Sequence, residues 1–241
     1  MIERSASGPQ SPDPAASARE LREGLRPGNF IAQVLPLLSG LGGPIALILG
    51  ALALGSEYGW GTLKTILTQQ PGRLSVFAGK GLALALLLLL FGLGALAVGL
   101  AASLLFTAVA GGSLALPAAA TILKGLGAAW LILAAWTALG VALAALFRGT
   151  ALAIGLGLVY ALVLETIVGT IAALVERVRP IREAFLGANA GDLANAFRPP
   201  PEAAFSAASR IPAGQAALVL LAYTAAFLLL AALLLRRRDV A

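Results

Sequence analysis

Glu57 and Glu165 are the two carboxylates whose setting in the sequence asks for a chemical role. Glu165 is the one charge inside an unbroken apolar run, and an ionised carboxylate in hydrocarbon is costly unless it is paired or protonated. Lining a polar translocation route and binding a nearby arginine, Arg177 or Arg179, are two candidate roles. A structural contact near the membrane face is the plainer third. Glu57 stands where an apolar run ends, with Lys64, seven residues on, and Arg73 as candidate partners. Other carriers of bond chemistry are scarce. The chain has no His and no Cys, which removes HExxH zinc sites, Ser–His pairs, imidazole relays, thiolate metal sites and disulfides together. No GxxxxGK[ST] phosphate cradle occurs: Gly79-Lys80 is followed by Gly81 and lacks the upstream glycine. The chain is therefore expected not to be an enzyme, with no catalytic residue, no metal and no cofactor of its own.

The elements that must position these groups follow from composition. The 241 residues are 59% hydrophobic and 12% charged, where a soluble domain carries about 25% charged residues. So little charge leaves a globular surface uncovered, and lipid has to be the main solvent. Spanning a bilayer takes about 20 apolar residues. Five runs qualify: 30–54, 82–109, 126–147, 151–175 and 213–235. Each has to be helical, since hydrocarbon offers nothing to unpaired backbone groups. The dyadic alternation of a β-barrel is absent. The expected fold is an all-α, polytopic transmembrane helical bundle. Its net charge of +6 sits at the ends of apolar runs, which points to lipid headgroups and not to nucleic acid.

Between the spans the sequence changes character. Residues 1–29 are polar and proline-rich, read as a flexible segment with a short surface helix over 15–25. Pro36 and Pro44 interrupt the first span and oblige neighbours to satisfy the carbonyls they free. Residues 111–117 form a neutral turn and 148–150 a tight basic one. The long connection, 176–212, contains a moderately apolar stretch at 184–197, too short to span and able to dip into the interface as a broken hairpin. Ala134, Ala138 and Ala142 make a small-residue stripe suited to close helix packing within one subunit. Tyr58, Trp60 and Trp130 are read as interfacial aromatics.

The most specific pattern follows the first span: Gly55-Ser56-Glu57-Tyr58-Gly59-Trp60-Gly61-Thr62-Leu63-Lys64, then Pro71, Arg73 and Gly79-Lys80. Physically, Gly59 and Gly61 let the chain turn into the membrane plane, and Thr62 caps a short helix with Leu63, Ile66 and Leu67 on one face. An ordinary amphipathic connector has the same features. The pattern resembles the ABC-2 family of transporter permeases, whose span ends in an acidic–aromatic pair followed by Gly-Thr-Leu-Lys/Arg. The match is good over 50–84 and looser to the C-terminus. The resemblance implies an exporter subunit in the cytoplasmic membrane of a prokaryote, without an ATPase site of its own. It implies that segment 56–80 is the coupling element, with Glu57, Tyr58, Gly61, Thr62, Leu63, Lys64 and Arg73 receiving the movement of a separate ATPase. ATP and Mg would sit on that partner, and a second permease subunit, identical or not, completes the assembly. Family members usually have six spans, so the first is expected to be missing here and residues 1–29 to take the place of the first outer loop.

Orientation is not fixed by charge. Arg236, Arg237 and Arg238 favour a cytosolic C-terminus, but Arg177, Arg179 and Arg182 then crowd a span end on the wrong side. The resemblance places 56–80 inside and 1–29 and 176–212 outside. The competing readings are an ATP-independent secondary transporter or channel, which normally carries more intramembrane charge, and a membrane-anchoring subunit that does not transport. An intramembrane enzyme is disfavoured by the absence of His and of paired carboxylates.

Overall fold

The structure, a computed structural model, describes residues 22–60, 73–198 and 211–237. A 3₁₀ turn, Pro27–Asn29, leads into α1 (Phe30–Leu37), a π-helical turn (Leu38–Gly42) and α2 (Gly43–Trp60), which together form the first span. The second span is the long helix α3 (Arg73–Ala110), and the third is α4 (Ala119–Phe147). α5 (Thr150–Leu158), a second π-helical turn (Val159–Leu164) and α6 (Glu165–Leu174) make the fourth. Two short helices, α7 (Arg179–Glu183) and α8 (Leu186–Asn195), precede α9 (Ala213–Arg237), the fifth. Among the described residues, these five spans are long and apolar enough to cross a membrane, and the chain is an all-α polytopic bundle.

α4 is the axis of the bundle. Its most apolar stretch is 72% buried, against 11% for the fourth and fifth spans, so the others are arranged around it and face outward. α2 and α9 flank it, and α3 packs on α1 and α4. The closest approach is glycine against backbone. A Cβ on Gly140 would lie 2.0 Å from the Leu47 carbonyl oxygen, and one on Gly50 would lie 2.2 Å from that of Thr137. Only glycine leaves room for that contact. Ala134, Ala138 and Ala142 are buried inside this one chain.

The proline-broken first span shows how freed carbonyls are satisfied. Pro36 has no N–H for the Ala32 carbonyl four residues back. The Nε of Arg198 donates to that oxygen instead, at 3.1 Å. The π turn lies between Pro36 and Pro44, where an ordinary α-helical ladder would be interrupted twice.

Several boundaries differ from expectation. α4 begins at Ala119, seven residues before the expected start, so Lys124 lies within the helix. Trp130 is thus well inside the span, its indole N–H donating to the Ala85 carbonyl at 3.0 Å, and it is not an interfacial aromatic. The 148–150 turn is tight because Arg148 adopts a left-handed conformation (φ 53°) that stops α4 at once. Residues 22–29 pack onto the bundle: Pro27 is buried, Asn29 Nδ2 donates to the Glu23 carbonyl (3.0 Å) and Gln33 Nε2 to that of Gly24 (3.3 Å). The rest of the expected flexible segment lies outside the described residues.

Candidate functional site

The polar groups gather at the two ends of the bundle. One end carries Glu57, the 148–150 turn and the end of α9; the other carries residues 22–29, the 111–118 loop and α7–α8.

At the first end, α2 continues through Ser56, Glu57 and Gly59 to Trp60. Gly59 is therefore a helical residue and not the point at which the chain turns. Ser56 Oγ donates back to the Leu52 carbonyl (2.7 Å), the usual satisfaction of a hydroxyl on a helix. Glu57 is 9% exposed. Its described partner is Lys80, on the facing turn of α3, whose ammonium donates to the Glu57 carboxylate and also to the Ala53 carbonyl (3.2 Å). Lys64, a candidate partner from the sequence, lies outside the described residues with Gly61, Thr62 and Leu63. Arg73 opens α3, and its side chain and that of Tyr58 are likewise outside the described ones. Beneath the pair lies a compact apolar layer that includes Ala51, Leu54, Val141 and Ala231. Gly55 presses on Thr150, so the end of α2 also abuts the 148–150 turn. The structure thus ties the first two spans together where the 61–72 connection leaves them. Lys80 is the residue that sequence reasoning left unassigned. Its signal was present, a lone lysine seven residues inside a helix that then runs uncharged to the far side.

At the other end, Glu165 is not held by Arg177 or Arg179; Arg179 faces Glu183 at 3.9 Å. The Glu165 carboxylate accepts from the backbone N–H of Gly187 at 2.6 Å, with Ala188 N–H and the Tyr160 hydroxyl also bonded to it. Gly187 and Ala188 are in the first turn of α8, whose leading N–H groups have no partner within the helix. Glu165 is therefore a capping side chain supplied by the fourth span, with its oxygens at the positive end of the α8 dipole. The fit requires glycine, because a Cβ on Gly187 would stand 2.1 Å from Glu165 Oε2. Tyr160 links the pieces: its oxygen accepts from Leu186 N–H (3.1 Å) while its ring stacks on Phe185 (centroids 5.9 Å apart).

The helix so capped is the apolar stretch of the long connection, and it packs on α9, α1 and α4. Arg182 pairs with the buried Asp192 at 3.1 Å, and Asp192 also accepts from the Ile211 N–H. Tyr223 of α9 donates to the Ala184 carbonyl. Arg198, which follows α8, holds α1 as described above. Tyr160, Gly187, Asp192 and Arg198 were not singled out from sequence.

Five apolar spans, two of them interrupted by π turns, with an ion pair clamping two at one end and a short helix docked at the other, define a multi-pass membrane protein. The chain belongs to the ABC-2 transporter family: the family profile described as "ABC-2 family transporter protein" matches residues 5–240. It is a permease of an ABC-type transporter, a class that generally works with an ATPase subunit. No curated protein matches the chain.

Proposed function

We propose that this chain is the membrane subunit of an exporter in the cytoplasmic membrane of a prokaryote, driven by ATP hydrolysed on a separate ATPase subunit and paired with a second permease subunit. Segment 56–80 is the receiver of that drive, on the cytosolic side. The observation that carries this reading is the Glu57–Lys80 clamp at the mouth of the 61–72 connection. A push on a connection whose two ends are clamped moves α2 and α3 as one body. Because α2 contacts α4 backbone to backbone, the push also reaches the axis of the bundle. Catalysis in such a machine is a change in the balance of two conformations and not bond chemistry in the permease. Glu165 serves as the anchor of the short outer helix α8.

Affinity purification of the tagged chain from its native membrane tests the reading. An ATPase with bound-nucleotide turnover is expected to co-purify, and that turnover to fall in Glu57→Ala while the ATPase remains bound. Recovery of the chain without an ATPase would favour an ATP-independent transporter. Recovery with an ATPase whose turnover ignores Glu57 would leave a passive anchor.

A further inference from the structure

Beside the end of α3 lies a pocket of about 260 Å³, lined by Arg22, Glu23 and Arg26 on one side and by Phe106, Thr107 and Gly111 on the other. We propose that it binds the headgroup of a membrane phospholipid bearing both a phosphate and a primary amine, as in phosphatidylethanolamine. The inference is independent of ATPase coupling and requires only that the chain spans a bilayer.

The charges match such a headgroup in kind and arrangement. Arg22 and Arg26 are exposed, and among the described residues neither they nor Glu23 has an ion-pair partner. Two guanidinium groups are the favoured partners of a phosphate, which they bind by paired N–H donors. The opposite wall is electronegative. Gly111 follows the last residue of α3 in a left-handed conformation (φ 70°), and the last carbonyls of the helix carry the negative end of its dipole. With Glu23 they offer acceptors to an ammonium bearing N–H donors. A quaternary choline lacks those donors, and a glycerol headgroup lacks the positive charge.

Size and placement fit as well. At about 260 Å³ the pocket is below the usual range for a whole drug-sized ligand, so it admits a headgroup and leaves the acyl chains outside. Those chains have a surface to follow, since Leu105 and Val109 on the last turns of α3 are 68% and 83% exposed. The segment bearing the three charges is held in place beforehand. Asn29 and Gln33 bond the Glu23 and Gly24 carbonyls, Pro27 is buried, and Gly28 lies against the 111–118 loop. Preorganisation of this kind lowers the entropy lost on binding.

The test is native mass spectrometry of the full chain in detergent, offered equal amounts of phosphatidylethanolamine, phosphatidylcholine and phosphatidylglycerol. Phosphatidylethanolamine is expected to be retained roughly tenfold over either competitor. The Arg22→Ala/Arg26→Ala double variant should lose most of that retention. Glu23→Gln should abolish the preference over phosphatidylcholine while leaving phosphate-dependent binding. All three side chains are solvent-exposed, so the fold is not at stake. Equal retention of the three lipids, or retention unchanged in the double-arginine variant, overturns the proposal. A soluble arm separates the sources: glycerophosphoethanolamine at the lipid's concentration should not displace it, and full displacement would overturn the assignment to a membrane lipid.

Discussion

Removing one member of the Glu57–Lys80 pair strands the other at a largely dry helix junction. Breaking a buried pair typically costs about 3–5 kcal/mol, but the Lys80 side chain keeps 31% of its exposure, so water relieves part of the loss. Lys80→Ala and Glu57→Ala are each expected to lower stability by about 1–3 kcal/mol, read as a drop in the midpoint of thermal unfolding. The exchanged pair Glu57→Lys/Lys80→Glu should recover more than half of the loss, since attraction survives the swap. No recovery would mean that the Ala53 contact or packing, and not the charge pair, holds the junction. Glu165 calls for a different pair of variants. Glu165→Gln keeps one acceptor oxygen for Gly187 N–H but turns the second into an NH2 donor that faces the remaining donors, a loss of about 1–2 kcal/mol. Gly187→Ala places a methyl group where the carboxylate oxygen sits and should expel the helix from its dock. Limited proteolysis of the 176–212 connection is expected to rank them: fast in Gly187→Ala, mildly raised in Glu165→Gln. Faster cleavage in the Gln variant than in Gly187→Ala would show that the bonds to the carboxylate, and not the close fit, dominate.

Much of the element scale could be read in advance because the membrane restricts the choices. Hydrocarbon forces apolar runs into helices, so spans at 151–175 and 213–235 agree with Thr150–Leu174 and Ala213–Arg236 almost to the residue. Two prolines in the first span gave notice of a break, because proline removes a known donor at a known place. Which group compensates was not readable. Arg198 lies 166 residues from Ala32, and no periodicity links them. The same holds for Lys80 and Glu57, 23 residues apart across a connection whose path the pattern of side chains does not dictate. The moderately apolar 184–197 stretch is too short to span, but nothing in it signals that the first turn of α8 takes a carboxylate from the fourth span. The Arg198–Ala32 contact makes a prediction at this scale. Pro36→Ala returns an N–H to the Ala32 carbonyl, so Arg198 ceases to be its main donor. Arg198→Ala should then cost about 1 kcal/mol in the natural background and distinctly less beside Pro36→Ala. A double-mutant cycle of unfolding midpoints measures the difference, and strict additivity would show that the proline and the arginine act separately.

For the whole molecule, the two polar ends must lie on opposite sides of the bilayer, and this is where coupling stands or falls. The structure groups residues 22–29, the 111–118 loop and α7–α8 at one end and Glu57, Lys80 and the 148–150 turn at the other. Spans that alternate in direction allow no other division. Basic residues are split between the two ends, and the proposed coupling assigns the Glu57–Lys80 end to the cytosol. A sequence with no cysteine is well suited to asking. Lys64→Cys samples the connection between α2 and α3, and Leu114→Cys samples the 111–118 loop, where the native leucine is 59% exposed. In intact cells a membrane-impermeant maleimide is expected to modify Leu114→Cys and to spare Lys64→Cys; opening the membrane should then expose Lys64→Cys to the reagent. The reverse pattern would put the clamp on the outer face, beyond reach of any cytosolic ATPase. The family membership and the bundle would stand, but the drive would have to enter elsewhere, through the end of the bundle where Glu165 anchors α8.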